Sequence, residues 1–416
     1  MLTVHEALER VLEGARAGPS EEVALHASLG RVLAAPVVAP RALPPFSNSA
    51  MDGYAVRAAD TPGRLRVLET IAAGRVGQHE VVTGTASRIM TGAPVPPGAD
   101  AIVMVEHTEV SGDDVLVSGS ARPGQHVRAA GSDVGAGELL LAVGQTVTPG
   151  VVGLLASLGL PRVVVARKPR VAILSTGDEV VAPGIELKPG QIHSSNNHAL
   201  AAMVTAAGGE AIDLGNVSDD PSDLAEAFAA AAAAGDILLS TGGVSVGDFD
   251  HVKSVIGDGV TFWRVAMKPG KPLAFGRLRG TRTFGLPGNP VSCLVNFLQF
   301  VRPVIRVMLG DPAPYLPVVE ARLARPLRRH PGRPEFIRVA LVHDGQGWLA
   351  TPVGGHQGSG NVRSMAEANG LAMVRAEAAN VEGTVRVQCL DLGPLGAREP
   401  GYPWPPEHGA AHDDGC

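Results

Sequence analysis

The pattern of apolar and polar positions changes from one segment of the chain to the next. At the N-terminus, "VHEALERVLEGA" spaces its apolar residues as an amphipathic helix does, and Thr3 with Glu6 three residues later predicts a capping box. From about 45 to 165, short Val and Leu runs alternate with Gly, Asp-Gly and Pro-Gly turns, which predicts small antiparallel sheets or barrels. From about 313, "EFIRVALVHDGQGWLATPV" predicts two further strands around an Asp-Gly turn.

The segment from 168 to 312 follows another pattern. "RVAILSTGDE" is a continuous apolar run that ends in a polar turn, as a buried parallel strand does. Helical and strand patterns then alternate through "NNHALAAMVTAAGG", "EAIDLGNVSDD", "PSDLAEAFAAAAAAG" and "DILLSTGG", and the long helix "PVSCLVNFLQFVRPVIRVMLG" follows three more strands. Alternation with short connections predicts βαβ units and a mostly parallel, doubly wound sheet.

Composition indicates a soluble, multidomain protein. The 416 residues exceed one ordinary core, and 45% hydrophobic with 18% charged residues is a normal globular balance. A net charge of −6 argues against broad nucleic-acid binding. Cys293, Cys389 and Cys416 lie far apart without a CxxC pair, so neither a disulfide framework nor a zinc site is expected. No uninterrupted apolar run reaches membrane-spanning length, and we expect a cytoplasmic location without membrane contact.

Three loops of the α/β segment follow predicted strands: "STGDE" (175–179), "VSDD" (217–220) and "STGGVSVGDFD" (240–250). Ligands of doubly wound sheets bind outside the carboxyl ends of the strands. Small residues there let backbone N–H groups approach an anion, so these loops predict an oxyanion or phosphate site. The alternative is three ordinary βα turns. Neither a Walker A motif nor GxGxxG is present, which disfavours ATP hydrolysis of the P-loop type.

Carboxylates accompany these loops. They would repel an anion unless a hard cation intervened, and Mg²⁺ takes one or two carboxylates together with substrate phosphate oxygens. The alternative is helix N-capping, worth only about 0.3–1 kcal/mol each, for which Asp219 is the strong candidate. The carboxylates are Glu179, Asp219, Asp220, Asp248 and Asp250.

Lys268 and Lys271 lie on either side of a stiff Pro-Gly turn in "MKPGKP". A pre-ordered turn presents two ammonium groups at little entropic cost, which favours phosphate binding over the alternative of solvated surface lysines. "GLPGNPVS" predicts the start of the long helix, with Asn289 as N-cap and Pro290 near its first position. Asp52-Gly53, by contrast, is typical of a hairpin turn.

Eight segments in order carry a family resemblance over about residues 1–390: "PPFSNSAMDGYA", "RIMTGAPVPPGADAIVMVE", "STGDE", "DDP", "GGVSVGDFD", "KPGKP", "LPGNPVS" and "QGSGNVRSMAEANGL". They resemble the molybdopterin molybdenumtransferase family, to which the C-terminal domain of gephyrin also belongs. The resemblance implies insertion of molybdate into adenylylated molybdopterin with release of AMP, supported by Mg²⁺. It also implies an elongated homodimer of four-domain subunits, with an active-site cleft completed by the partner subunit. "GQIHSSNN" departs from the family's usual aspartate or asparagine before Ser-Asn.

Carried over by motif, the family's functional residues fall into three groups. Within "GGVSVGDFD", Asp250 is favoured over Asp248 because the family pattern is similar to Gly-x-x-Asp. The implied catalytic residues are Asp52, Asp133, Glu179 and Asp250. The implied substrate-binding residues are Thr91, Ser175, Thr176, Gly177, Ser240, Gly242, Gly243, Ser245, Lys268, Lys271, Pro287, Pro290, Arg363 and Ser364. The metal candidates are Glu179, Asp219, Asp220 and Asp250.

Patterns and resemblance together predict a doubly wound α/β domain flanked by β-rich domains and a C-terminal β-barrel. The predicted parts are a helical and β linker domain (1–44 with 131–167), a β-rich domain (45–130), the α/β domain (168–312), the barrel (313–396) and a disordered tail (397–416). Two other functions stay open: a molybdopterin adenylyltransferase, whose related fold lacks the flanking β domains, and a non-catalytic pterin-binding scaffold. An adenylyltransferase is also a candidate partner enzyme.

Overall fold

The structure is a computed structural model that describes residues 1–242 and 259–390. The chain forms two compact units: unit 1 comprises Met1–Pro19 with Ala166–Cys416, and unit 2 is Ser20–Val165. The first 19 residues therefore belong with the α/β segment, whereas the sequence pattern grouped residues 1–44 with 131–167. The further division into four domains stays a prediction, and the predicted tail at 397–416 lies outside the described residues.

Helix α1 (Val4–Leu12) explains why the N-terminal segment belongs to unit 1. Its predicted capping box is confirmed, since Thr3 Oγ1 accepts from Glu6 N (3.1 Å) and Glu6 Oε2 accepts from Thr3 N (2.7 Å). At its other end, the buried Arg282 guanidinium donates to Val11 O (3.0 Å). A cation at a helix C-terminus satisfies a free carbonyl and complements the helix dipole, which fixes α1 to the α/β sheet.

Unit 2 is built on a six-stranded sheet in the order β7-β4-β6-β5-β9-β8, with short two-stranded ribbons beside it. Tyr54 and Val56 point into a core of Val, Leu and Ala side chains, as the period of two along β4 requires. Helix α2 (Pro149–Ser157) begins after the N-cap Thr148. The strands are β1 (Ser20–Ala24), β2 (Val37–Val38), β3 (Asn48–Ser49), β4 (Gly53–Val56), β5 (Gly63–Ile71), β6 (Thr85–Ile89), β7 (Ala101–Met104), β8 (Thr108–Ser111), β9 (Asp114–Val117), β10 (Val127–Arg128), β11 (Leu139–Leu141) and β12 (Arg162–Ala166).

Unit 1 contains the predicted α/β sheet, with strand order β16-β13-β17-β20-β19-β18. The first four strands pair in parallel, and β19 pairs antiparallel with both of its neighbours, β20 and β18, so the mostly parallel sheet is confirmed. On one face, Ala172 and Leu174 pack against Leu224 and Phe228 of helix α4. The strands are β13 (Arg170–Thr176), β14 (Val180–Val181), β15 (Ile192–His193), β16 (Glu210–Val217), β17 (Ile237–Thr241), β18 (Val260–Arg264), β19 (Pro272–Leu278) and β20 (Thr281–Leu286), and the helices are α3 (Asn196–Ala206) and α4 (Pro221–Ala234).

The long helix α5 follows β20 directly. It runs as an α-helix over Pro290–Asn296, as a π-helical turn over Phe297–Val301 and as an α-helix again over Arg302–Met308. Its 19 residues include an 18-residue stretch with a mean hydropathy of 1.4, which would suffice to cross a membrane. However, 72% of this stretch is buried inside the protein. We therefore assign α5 as a core helix of unit 1.

The predicted C-terminal barrel is confirmed as a closed sheet in the order β21-β24-β23-β25-β27. Its interior is filled by Val, Leu, Ile and Ala side chains that alternate along the strands. The elements are β21 (Val318–Leu323), β22 (Leu327–Arg328), β23 (Glu335–His343), β24 (Trp348–Pro352), helix α6 (Val362–Glu367), β25 (Gly370–Val374), β26 (Asn380–Val381) and β27 (Thr384–Cys389).

Asp236 lies directly before β17 and contacts the first residue of β13, so it joins the starts of two central strands. Its carboxylate accepts from Arg167 Nη2 (2.9 Å) and from Arg170 N (2.8 Å). Burial opposes ionisation of Asp236, but these hydrogen bonds outweigh it and lower the pKa of its carboxyl. Its stabilising effect should be present at neutral pH, above the pKa of the unfolded state, and be lost as pH falls through the folded-state pKa.

We expect Asp236→Asn to lower the free energy of unfolding by about 1–2 kcal/mol at pH 7, in line with hydrogen bonds to a charged group, and by less at pH 3. Urea unfolding at the two pH values measures this. Glu226→Gln, which changes an exposed carboxylate on α4, is the control. A deficit that is equal at both pH values would contradict the assignment.

Candidate functional site

The parallel strands of unit 1 end around one cavity of about 330 Å³. Because β13, β17 and β20 run in the same direction, their polar carboxyl ends meet at one sheet edge, where the start of α5 joins them. We call this space the sheet-edge cavity. It is lined by Ser175, Thr176, Glu179, Val180, Ile192, His193, Ser194, Ser195, Asn196, Thr241, Gly242, Gly288, Asn289 and Pro290.

Five of the predicted site residues thus line the sheet-edge cavity: Ser175, Thr176, Glu179, Gly242 and Pro290. Other predicted residues support it from behind: Ser240 is buried and its hydroxyl donates to Phe284 O (3.4 Å), and the Pro287 carbonyl accepts from Thr241 Oγ1 (3.5 Å). Four residues named in the sequence analysis lie outside the described residues: Gly243, Ser245, Asp248 and Asp250.

The loop "STGDE" is held in shape by its glycine and by a residue that the sequence pattern did not single out. Gly177 has φ +128°, a backbone conformation that favours glycine, and the Glu179 side chain folds over it, with Oε2 2.5 Å from where a Cβ would lie. Asn216 Nδ2 donates to Gly177 O (2.9 Å) and to Val180 O (3.1 Å). Asn216 Oδ1 in turn accepts from Ser175 Oγ (2.9 Å). Asn216 therefore sets the position of Glu179.

Polar atoms of the sheet-edge cavity lack partners within residues 1–242 and 259–390. Thr176 is 4% exposed, yet its Oγ1 has no hydrogen bond, and neither has Asn196 Oδ1. The Asn196 amide is fixed, because its Nδ2 donates to Thr241 Oγ1 (2.8 Å) and to Gly288 O (2.9 Å). Leaving buried polar atoms unpaired costs about 1–3 kcal/mol each, so the cavity is suited to a ligand that supplies hydrogen-bond donors.

A second cavity of about 570 Å³ contains the predicted lysine pair, and we call it the cationic cavity. Lys268 Nζ lies 3.0 Å from Glu335 Oε1, and that buried carboxylate also pairs with Arg329 (Nε–Oε2, 2.9 Å). In the described part of the chain, no carboxylate lies within 4.0 Å of Lys271 Nζ. The cationic cavity is lined by Lys268, Pro269, Gly270, Lys271, Pro272, Ser292, Arg333, Gln357, Gly358 and Ser359.

Arg333 adds a third cation to this cavity and was missed by the sequence interpretation. Its Nη1 donates to Met267 O (3.0 Å), which leaves the rest of the guanidinium fork for a ligand. Among the described residues, three cations and two serines line this cavity, and the only one of the three that pairs with Glu335, which is not a lining residue, is Lys268, so the positive site suits an oxyanion.

The two cavities share one wall, the first turn of α5. Asn289 and Pro290 line the sheet-edge cavity and Ser292 lines the cationic cavity, while Val291 N donates to Ser359 O (3.0 Å). Asn289 occupies the predicted N-cap position, but its side chain makes no capping hydrogen bond. Asn289 thus lines the sheet-edge cavity without capping the helix through its side chain.

The two aspartates after β16, Asp219 and Asp220, have roles that differ from the prediction. Asp220 caps helix α4, since its Oδ1 accepts from Ser222 N (2.8 Å) and Asp223 N (3.3 Å). The capping role expected for Asp219 thus belongs to Asp220, because Pro221 takes the first helical position. Among the described residues no three Asp, Glu, His or Cys side chains converge as a metal-binding group, so the metal assignment stays a prediction.

In unit 2, Asp52 is bound to Thr91. Asp52 Oδ1 accepts from Thr91 N (2.7 Å) and Thr91 Oγ1 (2.8 Å), and these hydrogen bonds hold the pKa of the exposed Asp52 carboxyl below its ordinary value. The hairpin expected at Asp52-Gly53 is not formed, because β4 pairs with β6 and β7 instead of with β3. Asp133 is exposed in the same unit, with its N–H donating to Leu43 O (3.0 Å).

Comparison with known proteins identifies the family. Family profiles match residues 2–159 (MoeA N-terminal region, domain I and II), 172–307 (probable molybdopterin binding domain) and 320–392 (MoeA C-terminal region, domain IV). The molybdopterin molybdenumtransferase 2 of Mycobacterium tuberculosis is 42% identical over 407 residues, which cover 94% of this chain and 100% of that protein. The chain belongs to the MoeA family of molybdopterin molybdenumtransferases.

Further relatives agree with this assignment to the MoeA family. The molybdopterin molybdenumtransferase of Bacillus subtilis is 38% identical, with 97% of this chain and 96% of the relative covered. The crystal structure of the molybdopterin biosynthesis MoeA protein from Pyrococcus horikoshii matches with a TM-score of 0.82 and 34% identity, over 94% of this chain and 99% of that one. All lining residues of the sheet-edge cavity lie within the region that matches the molybdopterin-binding profile of the family.

Within the MoeA C-terminal region, the predicted residues Arg363 and Ser364 line neither cavity. Arg363 is exposed and pairs with Glu367, whereas Ser364 is fully buried. Ser364 Oγ accepts from Arg338 Nε (3.1 Å), and Arg338 Nη2 donates to Gly358 O (3.0 Å). Burial lowers the pKa of the Arg338 guanidinium to about 10. Arg338 and Ser364 thus hold the loop that forms one wall of the cationic cavity.

The Asp52–Thr91 contact gives a direct test by titration. Thr91→Val removes the hydroxyl donor and keeps the backbone N–H, so we expect the pKa of Asp52 to rise toward its ordinary value. Carbon-detected NMR titration of labelled aspartate measures it. Thr108→Val is the control, since Thr108 Oγ1 donates to the Val105 carbonyl (2.8 Å) and not to a carboxylate. An unchanged Asp52 pKa in Thr91→Val would contradict the role of the hydroxyl.

Proposed function

We propose that this chain inserts molybdenum into molybdopterin: it takes molybdate and adenylylated molybdopterin and releases AMP with the molybdenum cofactor. The observation that carries the proposal is the MoeA family match, which extends over 94% of the chain at 42% identity. The two cavities on α5 support it, since one offers hydrogen-bonding groups for an organic ligand and the other offers cations for an oxyanion.

In this proposal the cationic cavity receives the molybdate dianion. Lys268, Lys271 and Arg333 neutralise its charge, and the Arg333 fork and the two serine hydroxyls orient its oxygens. The sheet-edge cavity receives the pterin nucleotide, whose N–H donors pair with Thr176 Oγ1 and Asn196 Oδ1. Since α5 separates the two by a single helical turn, molybdate and pterin are brought together in a fixed orientation, which lowers the entropic part of the barrier.

The carboxylates have two proposed roles. Asp52, Asp133, Glu179 and Asp250 are the proposed catalytic carboxylates, and the hydrogen bonds from Thr91 favour the ionised form of Asp52. Glu179, exposed at the sheet-edge cavity, fits a Mg²⁺ ligand because it makes no ion pair in the described ranges. Asp219 and Asp250 are the other proposed ligands, with Asp220 available through the oxygen that does not cap α4. When bound, Mg²⁺ would offset the negative charge of the phosphates.

We further propose that the protein is a cytoplasmic homodimer that receives its substrate from a molybdopterin adenylyltransferase. The sequence resemblance supports the dimer, and size-exclusion chromatography with light scattering tests it. A monomeric mass at micromolar concentration would contradict this part without affecting the reaction.

The reaction is tested with purified protein, adenylylated molybdopterin, molybdate and Mg²⁺. We expect AMP release, followed by chromatography, that depends on molybdate and stops when EDTA removes the metal. Absence of AMP above background would overturn the proposal. Stoichiometric pterin binding without turnover would indicate a scaffold, and ATP-dependent adenylylation of free molybdopterin would indicate the adenylyltransferase.

Lys271 tests the assignment of molybdate to the cationic cavity. Lys271→Ala removes a charge-assisted hydrogen bond of about 1.5–3 kcal/mol, so we expect the KM for molybdate to rise about tenfold or more. The KM for adenylylated molybdopterin should change little. Lys168→Ala is the control, because Lys168 is an exposed lysine just before the start of β13, at the opposite edge of the sheet. An unchanged KM for molybdate in Lys271→Ala would place the oxyanion elsewhere.

A further inference from the structure

The loop from Lys268 to Lys271, here called the lysine loop, is anchored at both ends by backbone hydrogen bonds. Lys268 N donates to Pro334 O (2.9 Å), and Val265 N donates to Lys271 O (2.7 Å). These contacts fix the loop to the barrel and to β18. The tip, Pro269-Gly270, faces α5, and its position decides where the two ammonium groups stand relative to Ser292.

Asn296 of α5 is the residue that reaches this tip. It is fully buried, and its Nδ2 donates to Gly270 O (3.1 Å) and to Ser292 O (2.8 Å). Its Oδ1 has no partner in the described part of the chain. One amide group therefore joins two residues that both line the cationic cavity, Gly270 from the loop and Ser292 from the helix.

The contact between the loop and the helix is close. Gly270 has φ +96°, and a Cβ there would overlap Asn296 Nδ2 and lie 3.3 Å from Ser292 O. Any other residue at 270 would be strained and would push the loop away from α5. Directly after Asn296 the helix changes to the π-helical turn Phe297–Val301, a local distortion that is often found at functional sites.

We propose that Asn296 is a positioning residue for the oxyanion: it fixes the Lys268–Lys271 loop against α5 so that both lysines face the molybdate. This inference rests on the proposed function of the cationic cavity. Asn296 does not line that cavity, so it acts through Gly270 and Ser292 and not by touching the anion.

Binding of inorganic molybdate, measured by calorimetry at fixed ionic strength, tests the inference. Asn296→Ala removes the bond to the tip, and we expect molybdate to bind about tenfold more weakly. The KM for adenylylated molybdopterin and kcat at saturating molybdate should stay within about twofold, which a general loss of structure would not produce. Asn296→Ser is the second variant, whose shorter side chain still reaches Ser292 O but not Gly270. We expect it to bind molybdate as weakly as Asn296→Ala does, with a melting temperature nearer to that of the wild type.

Asn197→Ala is the matched control. Asn197 is also a buried asparagine of unit 1, and its Nδ2 makes two hydrogen bonds, to Asp213 Oδ1 (2.9 Å) and Gly215 O (2.9 Å). Its loss should lower the melting temperature without weakening molybdate binding. Gly270→Ala should weaken molybdate binding, and adding Asn296→Ala should recover part of the loss because the overlap disappears.

The outcomes separate the inference from the proposed function. A wild type that releases no AMP and binds no molybdate would overturn both. A wild type that binds molybdate, with Asn296→Ala and Asn296→Ser binding it equally well, would overturn only the positioning role of Asn296.

Discussion

The candidate site depends on where α5 begins. Three parallel strands deliver their carboxyl ends to one edge of the sheet, and the chain turns from β20 straight into α5 at that edge. The helix is mostly buried, so its start cannot move without disturbing the core. Its first turn supplies Asn289 and Pro290 to one cavity and Ser292 to the other. A single rigid element thus fixes the separation of two chemically different sites.

The chemical difference between the cavities follows from what lines them. The sheet-edge cavity has neutral polar groups with unpaired oxygens, and Glu179 is its only acidic lining residue among those the structure describes. The cationic cavity is lined by Lys268, whose ammonium group pairs with the buried Glu335, and Arg329 pairs with the same carboxylate. A buried carboxylate needs such partners, and it anchors Lys268 in return. Lys271 and Arg333 retain donors for a ligand.

Local patterns predicted the elements of the site, because strand, turn and helix signals act over a few residues. The "STGDE" turn, the lysine loop and the start of α5 were predicted this way. Asn216, Asn196, Arg333 and Asn296 were not, since each acts on a loop distant in sequence through one amide or guanidinium group. Hydrogen-bonding side chains in ordinary contexts carry no local signal of the partner that folding gives them.

Two local predictions about acidic residues were wrong, each because of a residue that follows. Asp220 and not Asp219 caps α4, because the proline at 221 fixes which residue comes directly before the helix. Asp52-Gly53 forms no hairpin, because Gly53 enters a strand that pairs elsewhere. In both places an acidic side chain accepts a backbone N–H group, that of Thr91 at Asp52 and that of Ser222 at Asp220. Both carboxylates are thus engaged by hydrogen bonds within the protein, whereas Glu179 is exposed at the sheet-edge cavity and makes no ion pair in the described part of the chain.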